Sequence, residues 1–280
     1  MTFSIVAADP AADEVGVATQ SKFLAVGAVV PWARGRVGAV ATQSFAEMTF
    51  GPRGLDLLSS GLDPQSVLDR LLEPDERRQT RQVGIVDREG RAASFTGREC
   101  FDHAGSKTGP GYACQGNILA SDEVVPAMAE AFEGAAGDLA DRMLEALRAG
   151  QRAGGDRRGQ ESAALLVAKP GRGYGGTNDR YIDLRVDHHD DPIEELAGLL
   201  SMHRLYFGKP AQADLIQADP ALESEVRQLL SALGKLPPGQ DLWEALSDYM
   251  DWENLEERWA GPGRVDPLVL TYLRRQAGRA

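Results

Sequence analysis

Cysteine is almost absent from this 280-residue chain, which carries only Cys100 and Cys114. Two thiols cannot build a disulfide framework or a four-thiolate zinc site, so both read as reduced thiols of a cytosolic protein. Basic charge is also short: 30 Lys and Arg stand against 42 Asp and Glu, a net charge of −12. A surface that tracks nucleic-acid phosphates needs clustered Lys and Arg, so no nucleic-acid partner is expected. No apolar run is long enough to span a bilayer. The N-terminus, Met-Thr-Phe-Ser-Ile-Val-Ala-Ala-Asp-Pro, lacks the basic and long apolar segments of a secretory signal. The expectation is a cytoplasmic protein with no membrane partner. Several motifs are missing as well. No glycine-rich segment ends in Gly-Lys-Ser or Gly-Lys-Thr, and no Gly-x-Ser-x-Gly elbow occurs, which removes a phosphate loop and the usual serine-hydrolase nucleophile. His188-His189-Asp190-Asp191 offers adjacent histidines that point different ways, and two ligands do not make a metal site. It reads as a strand end followed by a helix cap. No metal and no cofactor are expected.

What is present is an ordinary globular balance, with 42% hydrophobic and 26% charged residues. The length suits one large domain plus a small one. Phe3 to Ala8 and Val15 to Gln20 read as a hairpin around Asp9-Pro10. Val26 to Trp32 and Val37 to Gln43 read as two more strands. Pro52 opens a helix to about Ser60, and Asp63-Pro64 caps another through Leu72. Gln82 to Asp87 and Arg91 to Thr96 form a further hairpin, and Gly111 to Asn117 adds a strand. Ser121 caps an alanine-rich helix, and a second helix runs from Asp138 to Gly150 with Leu139, Met143, Leu144 and Leu147 on one face. Ser162 to Ala168 and Ile182 to Val186 are late strands, followed by a helix over 191–207.

Paired helices alternate with antiparallel sheet, and no internal repeat or strict βαβα alternation is visible. The expected class is α+β, a four-layer αββα sandwich over residues 1–209. After Gly208-Lys209-Pro210 the composition shifts. Residues 210–280 hold Trp243, Trp252 and Trp259, three of the four tryptophans. Helices are expected over 223–233, 241–250 and 266–275. This small helical domain reads first as a docking module, through which the protein would form a homo-oligomer.

Chemistry centres on Thr2. Thr is small enough that the initiator Met is removed from such an N-terminus, leaving a free α-amine. A hydroxyl needs a base at neutral pH, and an α-amine of pKa about 7.7–8.0 can accept its proton directly or through one water. Thr2 also opens a strand, where a terminal nucleophile must be anchored. Lys22, at the end of the next strand, would lower the pKa of a nearby amine and improve the base. Gln43 and Ser44 end the fourth strand with hydrogen-bond donors. Asn117, with the backbone N–H groups of its glycine-flanked segment, can stabilise an oxyanion. Asp156 in the loop before a buried strand can orient the amine, and Arg157 or Arg158 can bind an acidic substrate group.

Five segments carry a resemblance: Met-Thr-Phe-Ser-Ile-Val-Ala, Ser-Lys-Phe-Leu-Ala-Val-Gly at 21–27, Gly-Pro-Arg-Gly-Leu at 51–55, Gln-Gly-Asn-Ile-Leu at 115–119 and Gly-Asp-Arg-Arg-Gly at 155–159. Together they resemble domain-of-unknown-function family 1028, over about residues 2–207. That family is placed in the N-terminal-nucleophile (Ntn) hydrolase superfamily. Residues 223–273, with Glu-Asn-Leu-Glu-Glu-Arg-Trp at 253–259, resemble a peptidoglycan-binding-like domain that follows it in some members. The resemblance implies an αββα fold and a self-contained terminal nucleophile that cleaves an amide. It matches Ser21 and Lys22 to a polar residue and a cation near the nucleophile. It matches Asp156 and Ser162 to an acid and a serine before a late core strand. The expected activity is an Ntn amidohydrolase acting on a small or peptide-like amide. The alternative is a non-catalytic binding protein on the same fold, cell-wall associated through the C-terminal domain.

Overall fold

The computed structural model describes residues 2–278. The chain divides into two compact units, Met1–Gly198 and Leu199–Ala280. It is a mixed α and β protein with antiparallel sheets, eight α-helices among the described residues, and a helical C-terminal region.

In the first unit, β1 (Thr2–Asp9), β2 (Glu14–Ser21), β7 (Gly105–Gly109), β8 (Tyr112–Asn117), β9 (Ser162–Ala168) and β10 (Arg180–Val186) form one sheet in the order β10-β9-β2-β1-β8-β7. A second sheet runs β3 (Pro31–Arg34), β4 (Gly38–Ser44), β5 (Arg81–Asp87) and β6 (Ala92–Thr96). Every pairing is antiparallel. β1 and β2 are buried on both faces. On one face Val6, Ala8, Val15 and Val17 meet Ala39, Ala41 and Val86 of the second sheet. On the other face lie α3 (Val124–Gly134) and α4 (Leu139–Arg152). The far side of the small sheet, with Val40, Val83 and Ile85, packs on α1 (Phe50–Ser59) and α2 (Pro64–Leu72) through Phe50, Leu55, Leu68 and Leu71. Each such fully buried side chain contributes about 1.5–3 kcal/mol of transfer free energy.

The helices begin where short polar side chains accept the free N–H groups of the first turn. Asp63 Oδ1 accepts from Gln65 N at 3.0 Å, and Asp138 Oδ1 from Asp141 N at 3.0 Å. The expected cap at Ser121 is not a helix cap: α3 starts at Val124, and the Ser121 hydroxyl reaches only Glu123 N at 3.3 Å. The expected strand over Val26 to Trp32 is largely replaced. Ala25 is left-handed at φ 53°, Val26–Ala28 form one 3-10 turn, and pairing starts at Pro31. Val26 and Val30 are apolar because they plug the space between the sheets, not because they belong to a ladder. β7 escapes sequence reading because Gly-Ser-Lys-Thr-Gly has no apolar alternation. It is an edge strand exposed at its centre.

α5 (Pro192–Phe207) crosses the division between the units, which falls at 198/199, eleven residues before the 209/210 boundary expected from composition. The second unit contains α6 (Pro220–Ala232), α7 (Leu242–Trp252), α8 (Pro267–Gln276) and a two-residue pairing of β11 (Ile216–Gln217) with β12 (Arg264–Val265). Val226, Leu229, Leu246, Tyr249, Leu270 and Leu273 form its core. α6 starts three residues before the expected Glu223, because Asp219 accepts from Leu222 N at 2.8 Å and Pro220 fits the first turn.

Gly84 on β5 makes room between the sheets. A Cβ there would lie 2.2 Å from Gln115 Oε1, whose amide fills the space. Gly84→Ala is expected to lower unfolding stability by about 1–3 kcal/mol through overpacking. Urea denaturation checks this; an unchanged midpoint would show that Gln115 moves aside freely.

Candidate functional site

Thr2 stands at the edge of the space between the sheets. It is the first residue of β1, the strand flanked by β2 and β8, and it is 5% exposed. Its register partner on β8 is Asn117, and the next pair across β2 is Phe3 with Gln20. The register turns Thr2, Ser4, Ser21, Gln115 and Asn117 toward the second sheet, while Phe3 faces α4. The Thr2 hydroxyl donates to Ser21 Oγ at 3.1 Å. Thr2 lines a cleft of about 320 Å³ together with Phe23, Val26, Val30, Gln43, Phe45 and Arg81.

A buried amide network backs this strand end. Gln82 Nε2 donates to Gly116 O at 2.7 Å and to Gly105 O at 3.1 Å. Carbonyls only accept, so Gln82 Oε1 must be the acceptor on its other side. It takes Gln43 Nε2 and Asn117 Nδ2, each at 2.8 Å. Gln43 Oε1 then accepts from Ser4 Oγ, which accepts Gln115 Nε2 at 2.7 Å. Gln43 Nε2 also reaches Thr2 O at 3.3 Å. Each amide therefore has one permitted orientation. Asn117, the register partner of Thr2, is buried and not part of the cleft lining; its Nδ2 has a second hydrogen beyond the one given to Gln82, and its Oδ1 has no hydrogen-bond partner among the described residues.

The segment after β2 is clamped by two residues from the β9 side. Asp156, buried, accepts Lys22 N at 2.9 Å and Arg158 N at 2.8 Å. Ser162 Oγ donates to Phe23 O and accepts Val26 N at 3.0 Å. Asp156 and Ser162 thus hold the backbone of the 22–26 loop, whose Phe23 forms a wall of the cleft. Backbone strain gathers around the same corners. Ala25 (φ 53°), Ser44 (φ 67°) and Ile118 (φ 49°) are left-handed. Such a conformation costs about 1–3 kcal/mol per residue and collects at functional sites.

Several expectations need correction. Lys22 does not aim its ammonium at the Thr2 amine; Nζ donates to Gln160 O and pairs with Glu161 Oε2, both at 2.9 Å. Hydrogen bonds from Lys22, and then from His188, hold the Glu161 carboxyl below its usual range. Asp156 is tied to Lys22 N and Arg158 rather than to an amine. Arg157 and Arg158 are exposed and neither lines the cleft; Arg158 folds back on Asp156. The removal of Met1 lies outside the described residues.

Sequence reasoning missed Arg77 and Arg81, which line the cleft in place of those arginines. Arg81 is buried, with Nε on Asp75 Oδ2 at 2.7 Å and Nη1 on Phe45 O at 2.6 Å. Asp75 is held below its ordinary pKa chiefly by the hydrogen bond from Arg81. It also missed Gln82 and Gln115, although glutamine inside an otherwise apolar strand is a visible signal. Cys114 is fully buried, and desolvation pushes its thiol far above the normal range. At neutral pH it is a protonated thiol, not a nucleophile. Among the described residues no group of three or more His, Cys, Asp and Glu is placed to hold a metal ion, and no helix is long and apolar enough to cross a membrane.

Comparison with known proteins gives two family matches. Residues 2–196 match DUF1028, a family of unknown function, and residues 206–273 match the family described as "Putative peptidoglycan binding domain". Among solved structures, the crystal structure of protein SPO2555 from Silicibacter pomeroyi, of the same DUF1028 family, is similar with a TM-score of 0.67 and 32% identity. The match covers 76% of this chain and 96% of that one. No curated protein matches.

Proposed function

Since the chain belongs to the DUF1028 family, we propose that it is an N-terminal-nucleophile amidohydrolase built on a four-layer αββα sandwich, acting on a small or peptide-like amide. The observation that carries this reading is Thr2 itself. It begins a buried strand, yet it opens on a cleft with its hydroxyl on Ser21 and an oriented amide network behind it.

With Met1 removed, the Thr2 Oγ attacks the substrate carbonyl while its own α-amine takes the hydroxyl proton. The remaining Nδ2 hydrogen of Asn117, with backbone N–H groups beside it, stabilises the oxyanion. The amine returns its proton to the leaving nitrogen as the C–N bond breaks. Water then adds to the ester, giving its proton to the amine, and the acid departs as Thr2 Oγ is re-protonated. Ser21 orients the attacking oxygen, and Gln43 fixes the Thr2 carbonyl. Asp156 and Ser162 are positioning residues that hold the cleft-lining loop.

An electrophilic amide-like probe followed by peptide mapping tests this reading. The label is expected on Thr2, in a chain whose intact mass lacks Met1. Labelling of Cys114, or no label at all, would remove the hydrolase assignment. A second reading draws on the match of residues 206–273: association of the protein with the cell wall, as a binding module with or without catalysis. Retention of the full-length chain on purified peptidoglycan would support it.

A further inference from the structure

Resting on Thr2 as the attacking residue, we propose that the cleft selects amides joining an apolar group to a carboxylate, with Arg77 as the carboxylate anchor. Val26, Val29, Val30 and Phe23 give the cleft an apolar wall, and Phe45 stands beside them. Such a wall binds hydrocarbon and gives a polar ligand no foothold. The charged side chains on the lining are Arg77 and Arg81, and no carboxylate lines it. In a chain of net charge −12 the long-range field repels anions, so attraction must come from local guanidinium groups.

The two arginines differ in what they have left to offer. Arg81 is neutralised by Asp75 through two contacts, at 2.7 and 3.3 Å, and spends Nη1 on Phe45 O. It is a structural strut. Arg77 is exposed, and its guanidinium makes no ion pair at contact distance among the described residues; Asp75, which accepts the Arg77 backbone N–H at 2.9 Å, feels its charge but is bonded to Arg81. The Arg77 Cζ sits 5.6 Å from the centroid of the Phe45 ring. A cation held over a ring in this way spends none of its N–H donors on a carboxylate, which leaves them for a planar, two-point acceptor. The cleft volume of about 320 Å³ limits the ligand to a small molecule. Arg77 therefore takes the role that the sequence suggested for Arg157 and Arg158.

The test compares N-hexanoyl-glycine with the neutral N-hexanoyl-glycinamide by calorimetry on the full-length chain. A Thr2→Ala background prevents turnover of either probe. The acid is expected to bind about 10-fold tighter than the neutral amide, the scale of a charge-assisted bidentate contact. Arg77→Gln should bring that ratio to about one, and the exposed position makes misfolding an implausible cause. An Arg157→Gln and Arg158→Gln double variant should keep it. Equal affinities in the Thr2→Ala chain, a ratio that survives Arg77→Gln, or binding of neither probe would overturn the proposal. Because binding is read without chemistry, its failure is separate from that of the nucleophile. A charge preference without Thr2 labelling would refute only the hydrolase reading.

Discussion

Thr2→Ala is expected to reduce amide turnover at least about 10³-fold, as removal of a covalent nucleophile does, while the melting temperature stays near that of the parent. The asymmetry follows from the geometry. The deleted hydroxyl makes a neutral bond to Ser21 Oγ at 3.1 Å, and such a bond contributes only about 1 kcal/mol to stability. The backbone of Thr2 remains paired opposite Asn117 whatever the side chain. Thr2→Ser keeps the attacking oxygen and should retain much of the activity. A parallel loss in Thr2→Ser would point to packing of the methyl group. Undiminished turnover in Thr2→Ala would end the hydrolase assignment.

The largest stability effect is expected in the second unit. Arg258→Ala should cost about 3–5 kcal/mol, the usual result of leaving one partner of a buried ion pair alone. Arg258 is 5% exposed and Asp266 3%, and they meet at 2.5 Å. Asp266 also caps α8 through Leu268 N at 2.7 Å, and Arg258 donates from Nε to Leu205 O at 2.6 Å. It thereby satisfies a carbonyl in the last turn of α5. One substitution thus strips a carboxylate that organises one helix and a donor that closes another. Trp243, Trp252 and Trp259 all belong to this unit, so urea unfolding followed by tryptophan fluorescence reads it directly. The exposed pair Arg34 and Asp56 provides the contrast: its removal should change stability by about 0–1 kcal/mol. Equal small effects at both sites would contradict the reading.

Elements with strong periodicity were legible without coordinates. β2, β4 and β5 set β-branched residues among small ones, β9 is a short apolar run, and α2 and α4 carry both an apolar stripe and an aspartate cap. What failed had identifiable physical causes. Val26 to Trp32 resembles a strand because burial between two sheets selects the same residues as a ladder does. β7 is held by its neighbour's hydrogen bonds, which composition does not register. At the site, Thr2, Ser21 and Asn117 share one register position across three neighbouring strands, and Gln43 of the second sheet reaches the Thr2 carbonyl; such neighbours follow from strand ends, since register is a property of the backbone. Lys22 and the arginine pair lie elsewhere than expected because long flexible side chains choose partners by local charge. Glu161 captured Lys22, and Asp156 captured Arg158. Arg77 lies in the turn before β5 and Arg81 opens that strand, where only the cluster Arg-Arg-Gln-Thr-Arg at 77–81 could have drawn notice.

The left-handed residues Ala25, Ser44 and Ile118 carry a consequence for protein engineering. Glycine relieves that conformation at no steric cost, and a β-branched residue such as Ile118 resists it most. Selection for heat tolerance alone would therefore be drawn to these corners first. The variants it enriched would be hardier proteins with a slacker candidate site.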